Sequence, residues 1–306
     1  MADWVSKHLA QQALSNPAIE RALIAGCRNA ETRRRLHLGG VALAYARVLD
    51  RPELRISDLD GYRMYVDLAE YYGVMSFFFR DKLAVWPTPM LVPSGGICAD
   101  VGANAGIYTF LFGSLVGPHG RVFAFEPNPR CASMLERSIA LNGWADRVRL
   151  DRRAVSDVPD EHLRLFLSMN PNNSGTSSLV NHGVYVDEAH TIQTATTTLD
   201  TYFRDAGIEH LSVLKIDVER AEDRVARGAA GLLGSRHVDY LIVEMLAGGD
   251  AQRIVEAHGY RWFLIDETHT QLVPVSRVAP GHFGDFLAVS PASQSAFEDR
   301  LGKFVR

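Results

Sequence analysis

The sequence predicts an α/β protein built on a mostly parallel sheet with helices on both faces. Beyond residue 96, strand-like and helix-like segments alternate, which is the pattern of βαβ units. Several strand segments are apolar throughout, as expected where both faces of a strand are buried. The chain has 306 residues, of which 47% are hydrophobic, so it can bury a large core. We therefore expect one large domain with a smaller appendage.

Four parts are expected along the chain. Residues 1–54 form a helical appendage, because apolar residues recur there near helical spacing and "SNPAIE" supplies a cap and an early proline. Residues 55–95 contain a hairpin at Asp60-Gly61, followed by a linker rich in proline and glycine. The α/β domain covers residues 96–292, and residues 293–306 form a C-terminal tail.

The elements of the α/β domain follow from periodicity and length. In chain order, the first half reads as strand "ICADV", helix "GIYTFLFGSLV", strand "RVFAFEP", helix "PRCASMLERSIALNG" and strand "VRLDRRAV". The second half reads as strand "LSVLKIDV", a helix over 221–233, strand "VDYLIVEML", helix "AQRIVEAHGY" and strands "RWFLID" and "GDFLAVS". Between them, residues 168–183 are rich in Asn, Ser and Gly, which favours either a lid over a site or a mobile surface insertion.

Charge and cysteine content limit the class of partner and the compartment. The formal net charge of −4 gives no field that would gather nucleic acid or anionic lipid. The basic run at 33–35 is expected to be a solvated helix face. Cys27, Cys98 and Cys131 are far apart and lack metal-ligand spacing, so buried thiols in a reducing compartment are expected. The absence of a signal-like or span-length apolar run predicts a cytoplasmic protein without a membrane span.

The first strand-to-helix turn has the composition of a ligand-binding loop. In "ICADVGANAGIYTF" the strand meets Asp100, and the turn that follows contains Gly102 and Gly106. Ligands of open α/β sheets lie beyond the carboxyl ends of the strands, where such a turn lets the backbone approach closely. The dinucleotide pattern G-x-G-x-x-G is missing, because Asn104 stands where its second glycine would be. A nicotinamide-dependent oxidoreductase is therefore a disfavoured alternative.

A second acid indicates a nucleoside. Glu126 ends the next strand, directly before Pro127, and a carboxylate there is placed to accept hydrogen bonds from both ribose hydroxyls. A ribose-binding acid without a diphosphate loop favours S-adenosylmethionine. We expect Gly102 and Gly106 to make room for its amino-acid part, and Asp100 to orient the loop or reach the ligand amine. Three further residues are expected to bind the cofactor: Asn104, Pro127 and Asp217.

A series of motifs now resembles a known family. In order, the motifs are "DVGANAGIYTF", "GRVFAFEPNPRCASMLERSIALNG", "RAVSD", "NSGTSSL", "TTTLDTYF" and "LKIDVERAED". Together they look like the FkbM family of S-adenosylmethionine-dependent methyltransferases, over roughly residues 55–290. The resemblance implies a class I methyltransferase sheet of seven strands with the last one antiparallel. It also implies methyl transfer, most often to a hydroxyl oxygen of a sugar, polyketide or other secondary metabolite, so the expected partner is a small-molecule or glycan acceptor.

Some residues carry over from the family, and one departs from it. Asn173, Ser174 and Gly175 match the family loop, which places them near the cofactor or the acceptor. Arg220 in "KIDVERAE" stands where the family pattern has glycine. Its side chain could narrow the acceptor pocket, bind an acidic acceptor, or form a surface ion pair with Glu219 or a neighbouring acid.

Three carboxylates are candidates for catalysis. Asp217 and Glu219 are two apart at the end of one strand, so they face the same way, and Glu244 ends the next strand. Asp217 is the first choice for base or acceptor orientation, Glu219 the second and Glu244 the third, with a structural cap as the alternative for Glu244. Such acids need a proton, a partner such as Lys215 or Arg220, or a shared cation. Mg²⁺ or Ca²⁺ bound by the three is therefore a further alternative.

The remaining candidates are weaker. His182 and His190 flank the expected lid and are either general bases or solvated histidines. Arg153 and Ala154 in "RAVSD" are expected near the adenine. Aromatic residues before the core domain either wall the acceptor site or, more commonly, pack the core; they are Tyr71, Tyr72, Phe77, Phe78, Phe79 and Trp86.

Other functions remain open from the sequence. The same fold could methylate carbon or nitrogen, and a methyltransferase-fold module could keep a nucleoside pocket for binding without catalysis. A homodimer through the N-terminal helices is a further expectation, based on their position outside the resemblance.

Overall fold

The computed structural model describes residues 2–29, 32, 38–49, 52–81, 84–170, 173–235 and 237–306. The basic run at 33–35 lies outside the described residues. Three described helices precede the first strand: α1 (Ala2–Ser15), α2 (Pro17–Arg28) and α3 (Leu38–Val48). The side chain of Asn16 accepts a hydrogen bond from the Ala18 amide at 2.9 Å, and Pro17 is the first residue of α2. The predicted cap and early proline of α2 are therefore confirmed.

A hairpin and two helices connect these N-terminal helices to the main sheet. Strands β1 (Leu54–Leu59) and β2 (Tyr62–Asp67) pair antiparallel on either side of Asp60 and Gly61, as predicted. Helices α4 (Tyr71–Phe79) and α5 (Thr88–Leu91) follow. Phe78 of α4 is fully buried and packs edge-on against Tyr45 of α3, so this aromatic segment contributes to core packing.

Within the described residues, the main sheet has eight strands. They are β3 (Ile97–Val101), β4 (Arg121–Phe125), β5 (Val148–Asp151), β9 (Leu211–Ile216), β10 (Val238–Leu246), β11 (Arg261–Asp266), β12 (Gln271–Pro274) and β13 (Phe283–Val289), in the spatial order β12-β11-β13-β10-β9-β3-β4-β5. Strands β10, β9, β3, β4 and β5 are parallel, while β13 is antiparallel to both β10 and β11. The predicted mostly parallel sheet with an antiparallel last strand is confirmed. The eighth strand, β12, forms a hairpin with β11 at the edge.

Helices cover both faces of this sheet. They are α6 (Ile107–Val116), α7 (Pro129–Asn142), α8 (Leu199–Asp205), α9 (Glu222–Arg227), α10 (Ala230–Gly234), α11 (Asp250–Ala257) and α12 (Gln294–Leu301). Strands β6 (Ala154–Val155), β7 (His162–Phe166) and β8 (Thr191–Thr197) form a small second sheet. Two apolar clusters result, and the larger one also contains buried residues of α1–α4 and of α12.

The structure divides two of the predicted elements. The strand predicted over "VRLDRRAV" ends at Asp151, because the Asp151 carboxylate accepts the Arg153 amide at 2.8 Å and turns the chain toward β6. The helix predicted over 221–233 is interrupted after Arg227. There the carbonyl of Gly228 accepts the amide of Asp200 at 2.9 Å instead of continuing the helix.

The prediction of buried thiols is confirmed, since Cys27, Cys98 and Cys131 are all buried and form no disulfide. Among the helices that the structure describes, none is both long and apolar enough to cross a bilayer.

Candidate functional site

A cavity, which we call the inner cavity, lies beyond the carboxyl ends of β3, β4 and β9. Six of the nine residues expected to bind a cofactor line it: Gly102, Asn104, Glu126, Pro127, Ala154 and Asp217. Apolar residues that include Val155 and Leu165 complete its wall. Its free volume is about 50 Å³. Because a site for a nucleoside-sized ligand needs ~300 Å³ or more, part of this wall has to move for such a ligand to enter.

Glu126 is the central polar group of the inner cavity. One carboxylate oxygen accepts the Asn104 amide and the other the Asn128 amide, both at 2.7 Å. These bonds fix the carboxylate against the glycine turn and use two of its roughly four acceptor positions. Burial raises the pKa of Glu126 to about 7, although the two amides oppose the shift. Glu126 therefore retains acceptor capacity toward the cavity and changes charge near neutral pH.

Gly102 lies directly after β3, where the chain packs closely against the end of β9. Its φ is +76°, and a Cβ atom there would lie 1.8 Å from the carbonyl oxygen of Asp217. The Gly102 carbonyl in turn accepts a hydrogen bond from the buried Lys215 ammonium at 3.2 Å. Only glycine allows this close approach of the β3 turn to the end of β9.

Lys215 of β9 forms ion pairs with Asp100 of β3 and with Asp217, which follows β9. Its ammonium lies 3.1 Å from an Asp217 carboxylate oxygen and 3.7 Å from one of Asp100. Burial lowers the pKa of Lys215, but Asp217 and Asp100 outweigh it and raise the pKa above its usual value. The lysine is therefore charged and partly neutralises both carboxylates.

Three of the residues expected to bind a cofactor lie outside the lining of the inner cavity. Asp100 accepts the Thr109 hydroxyl at 2.5 Å, so it orients α6 rather than reaching the cavity. Gly106 provides space for packing, since a Cβ there would meet Phe110 and Leu135. Arg153 is paired with Asp151 at 2.7 Å and points away from the cavity, unlike its neighbour Ala154.

The segment 173–179 forms the outer wall of the inner cavity. Ser174, Gly175, Ser177, Ser178 and Leu179 line the cavity. The hydroxyl of Ser178 donates to the carbonyl of Glu219 at 2.6 Å. The segment therefore lies over the inner cavity, and its role as a lid stays a prediction. Asn173 lies behind this wall, where its side chain accepts the Gly175 amide at 2.9 Å.

A second cavity, the outer cavity, lies at the carboxyl ends of β9 and β10 and has a free volume of about 490 Å³. Four of the residues expected at the acceptor or in catalysis line it: His182, Glu219, Arg220 and Glu244. Its mouth carries the exposed apolar side chains of Val184, Tyr185, Leu246 and Phe283. His190 lies outside the lining, because its ring is paired with Asp187 at 2.9 Å. The described linings of the two cavities include none of the six aromatic residues proposed above.

The three predicted catalytic carboxylates meet between the two cavities. Asp217, Glu219 and Glu244 each offer an oxygen, and these atoms all lie within 4.8 Å of one another. Asp217 lines the inner cavity, whereas Glu219 and Glu244 line the outer one. Burial, followed by repulsion from Asp217, raises the pKa of Glu219 to about 7 and that of Glu244 to about 8. Protonated acids at neutral pH reduce the repulsion within this cluster.

The sequence analysis missed Asp285, a fourth acid of this region. Asp285 on β13 is the register partner of Glu244 on β10. Burial and Asp217 raise the pKa of Asp285 to about 6. The acid in "GDFLAVS" was visible, but its neighbour could be identified only once β13 was known to pair beside β10.

Arg220 occupies a conformation that suits glycine. Its φ is 74°, and that of the preceding Glu219 is 55°. Side chains other than glycine are strained there, by ~1 kcal/mol or more. The departure from the family glycine therefore reduces stability while placing an exposed guanidinium at the outer cavity.

We expect Arg220→Gly to raise stability by ~1 kcal/mol, or ~2 °C in melting temperature for a chain of this size. Relief of the left-handed strain is the reason. Differential scanning calorimetry measures the shift, and Arg220→Ala is the matched control, because it removes the charge but keeps the strain. An equal gain in both variants would show that charge, not backbone conformation, limits stability here.

The residues that form the two cavities lie largely within a range that matches a known protein family. The model described as "Methyltransferase FkbM domain" matches residues 100–272, which is more than half of the chain. The chain belongs to the FkbM methyltransferase family. The matched range begins at Asp100 and includes the glycine turn, Glu126 and the three carboxylates between the cavities. The predicted family is thereby confirmed.

Curated relatives agree with this assignment. Methyltransferase sdnD of Sordaria araneosa is 28% identical over 163 residues, which cover 45% of this chain and 61% of the relative. The 31-O-demethyl-FK506 methyltransferase FkbM of Streptomyces tacrolimicus is 31% identical over 159 residues, covering 44% of this chain and 59% of the relative. The matches therefore span about three fifths of the length of these relatives. A crystal structure of Methyltransferase FkbM from Methylobacillus flagellatus KT is 14% identical, with a TM-score of 0.39 over 88% of this chain and 57% of that one.

Proposed function

We propose that the protein is an S-adenosylmethionine-dependent O-methyltransferase whose cofactor binds in the inner cavity and whose acceptor binds in the outer cavity. One observation carries this proposal: the carboxylates of Asp217, Glu219 and Glu244 meet where the two cavities adjoin. A methyl donor and an acceptor hydroxyl would come together at this point. The acceptor must be both positioned and relieved of its proton there.

The residues of the inner cavity fit this cofactor. Glu126 offers its free acceptor positions to the two ribose hydroxyls. Ala154, Val155 and Leu165 provide an apolar surface for a base, and Asp217 can accept from the amino group of the amino-acid part. When bound, the cofactor would supply a methyl group on a sulfonium, and its sulfur would depart as a neutral thioether as the acceptor oxygen attacks the methyl carbon.

The protein's own contribution is to position the acceptor and accept its proton. Glu244 lines the outer cavity, and with a pKa near 8 it is matched to proton transfer around neutral pH. As the hydroxyl oxygen forms its bond to the methyl carbon, the hydroxyl proton passes to the Glu244 carboxylate. Glu219 accepts a hydrogen bond from the acceptor, and Lys215 forms an ion pair with Asp217 beside the reacting atoms.

Two observations favour oxygen as the methylated atom and a hydroxylated small molecule or glycan as the acceptor. The name of the relative from Streptomyces tacrolimicus, 31-O-demethyl-FK506 methyltransferase, specifies an oxygen. The outer cavity combines carboxylates at its inner end with apolar side chains at its mouth, which suits a molecule that has hydroxyl groups on a largely apolar frame. Methylation of nitrogen or carbon is the alternative that product analysis would identify.

Cofactor binding tests the proposal. We expect micromolar binding of S-adenosylhomocysteine and S-adenosylmethionine in isothermal titration calorimetry, and no binding of NAD. Glu126→Ala should weaken binding more than about tenfold, or about 1.4 kcal/mol, because the ribose loses its acceptors. Glu136→Ala is the matched control, since Glu136 is an exposed acid on α7 that pairs with Arg152. A folded wild-type protein that binds neither form would contradict the proposal.

The same titration repeated at several pH values tests the role of Glu126. Its folded pKa of about 7 lies above the usual value of 4.5, so Glu126 is mostly protonated at pH 6 and mostly ionised at pH 8. The protonated acid loses acceptor positions. Affinity should therefore rise by up to about tenfold from pH 6 to pH 8, and Glu126→Ala should lack this rise. If the wild type bound the ligand equally tightly at both pH values, Glu126 would be excluded as the ribose acceptor.

A further inference from the structure

We propose that Glu70, which lies outside the family-matched residues 100–272, is a positioning residue for the inner cavity and acts through Ser174. This inference rests on the proposed function, because it assigns the inner cavity to the cofactor. According to this proposal, the β1–β2 hairpin and helix α4 precede the family-matched residues and complete the cofactor site from outside them.

The contact between Glu70 and Ser174 spans more than a hundred residues of chain. One carboxylate oxygen of Glu70 accepts both the backbone amide of Ser174, at 3.2 Å, and its hydroxyl, at 2.9 Å. The same hydroxyl lies 3.3 Å from the side-chain oxygen of Asn104 and 3.4 Å from the sulfur of Cys131. Ser174, Asn104 and Cys131 all line the inner cavity. Glu70 therefore fixes a residue that connects the outer wall to the glycine turn.

Glu70 is itself rigidly placed. Its side chain and that of Asp67 are fully buried, and one guanidinium nitrogen of Arg130 lies 2.9 Å from Glu70 and 2.5 Å from Asp67. Asp67 also accepts the backbone amides of Glu53 and Ala69, both at 2.9 Å. These bonds hold the turn between β2 and α4, which carries Glu70. One guanidinium thus faces two buried carboxylates, and burial raises the pKa of Glu70 above its usual value although Arg130 opposes the shift.

The position of Glu70 matters because the wall has to move. With 173–179 in place, the inner cavity holds about 50 Å³, less than a nucleoside-sized ligand needs, and in this proposal 173–179 is the part of the wall that moves outward to admit the cofactor. The later part of the segment is held by Ser178, which donates to Glu219 and pairs with Phe166. Its beginning is held by Glu70. Reforming the Glu70–Ser174 bonds after entry restores the wall and retains the ligand.

Removal of these bonds should shift binding in a defined way. Without Glu70 the segment must be ordered when the ligand binds, which costs affinity, and the bound ligand escapes faster. We expect Glu70→Ala to raise the dissociation rate of S-adenosylhomocysteine about tenfold and weaken its affinity by a similar factor. Glu70→Gln keeps an acceptor for Ser174 and should stay within about threefold of wild type. Ser174→Ala removes the hydroxyl bonds alone and should give about a threefold to fivefold loss.

Stopped-flow and calorimetric binding of S-adenosylhomocysteine measure these changes, with Ser133→Ala, an exposed serine of α7, as the matched control. Hydrogen exchange of the amides at 173–179 is measured without ligand and should become faster in Glu70→Ala and Ser174→Ala. A lower melting temperature with an unchanged dissociation rate would show that Glu70 is merely structural.

The two proposals fail separately. If the wild type binds no S-adenosylhomocysteine, the proposed function fails, while the exchange measurement still reports whether Glu70 holds the segment. If the wild type binds but Ser174→Ala and Glu70→Ala bind equally well or more tightly, the positioning role is overturned and the cofactor assignment stands.

Discussion

Glu244→Gln should lower kcat for methyl transfer by about 10²- to 10⁴-fold, the usual contribution of a general base. The amide is nearly the same size as the carboxylate, so packing at the end of β10 is preserved. It cannot accept the hydroxyl proton. Because Glu244 lines the outer cavity and not the inner one, the affinity for S-adenosylhomocysteine should change by less than about twofold. A base acts on the chemical step, so kcat should fall more than the acceptor's KM changes.

Single-turnover transfer of a labelled methyl group to a hydroxylated acceptor measures this loss. Glu256→Gln, at an exposed acid of α11, is the matched control and should leave the rate unchanged. The wild-type rate should rise with pH toward about 8, where Glu244 ionises, and this rise should disappear in Glu244→Gln. A variant with nearly wild-type kcat would remove Glu244 from the mechanism.

Activity in the presence of a chelator distinguishes a general-base mechanism from one that depends on a metal ion bound by the carboxylates. The same three carboxylates have the oxygen chemistry that Mg²⁺ or Ca²⁺ prefers. The proposed reaction needs no metal, so EDTA should leave the wild-type rate unchanged. Loss of activity with EDTA and recovery with Mg²⁺ would assign the cluster to a metal site and replace the base mechanism.

Local sequence patterns were sufficient to predict the positions of several residues of the site. The end of an apolar strand placed Glu126, Asp217 and Glu244 at one edge of the sheet, because carboxyl ends of parallel strands lie together. It failed for side chains whose direction depends on a turn. Arg153 and Ala154 are adjacent, yet the turn at Asp151 directs one outward and the other into the inner cavity.

It also failed for contacts between distant parts of the chain. Nothing near Glu70 in the sequence indicates that Ser174 will be its partner. The contact exists because the hairpin packs on α7 and the segment 173–179 folds back over the sheet edge. Asp285 illustrates the same limit, since its closeness to Glu244 follows from the antiparallel pairing of β13 and β10. Register between distant strands is set by the whole fold, so a single acid in one strand does not reveal its neighbour.

The packing of Gly102 allows a further test, in which Gly102→Ala should lower stability by about 3 kcal/mol or more and abolish measurable cofactor binding. Two effects add. The residue adopts a φ of +76°, and the new Cβ would lie 1.8 Å from the carbonyl oxygen of Asp217, a backbone atom that cannot rotate away. The β3 turn and the end of β9 must therefore separate. This movement breaks the bond from Lys215 to the Gly102 carbonyl and displaces the Asp217 carboxylate.

Gly95→Ala isolates the first effect, the left-handed strain. Gly95 has the same φ of +76°, but a Cβ there would meet no atom within 4 Å, so this variant reports left-handed strain alone, about 1 kcal/mol, and should bind S-adenosylhomocysteine normally. Thermal unfolding and calorimetric binding of the two variants side by side measure the difference. Equal destabilisation of the two variants would mean that β3 and β9 move apart without a further loss of stability. If Gly102→Ala still bound the cofactor, the close approach of β3 to β9 would not be required for the cofactor site.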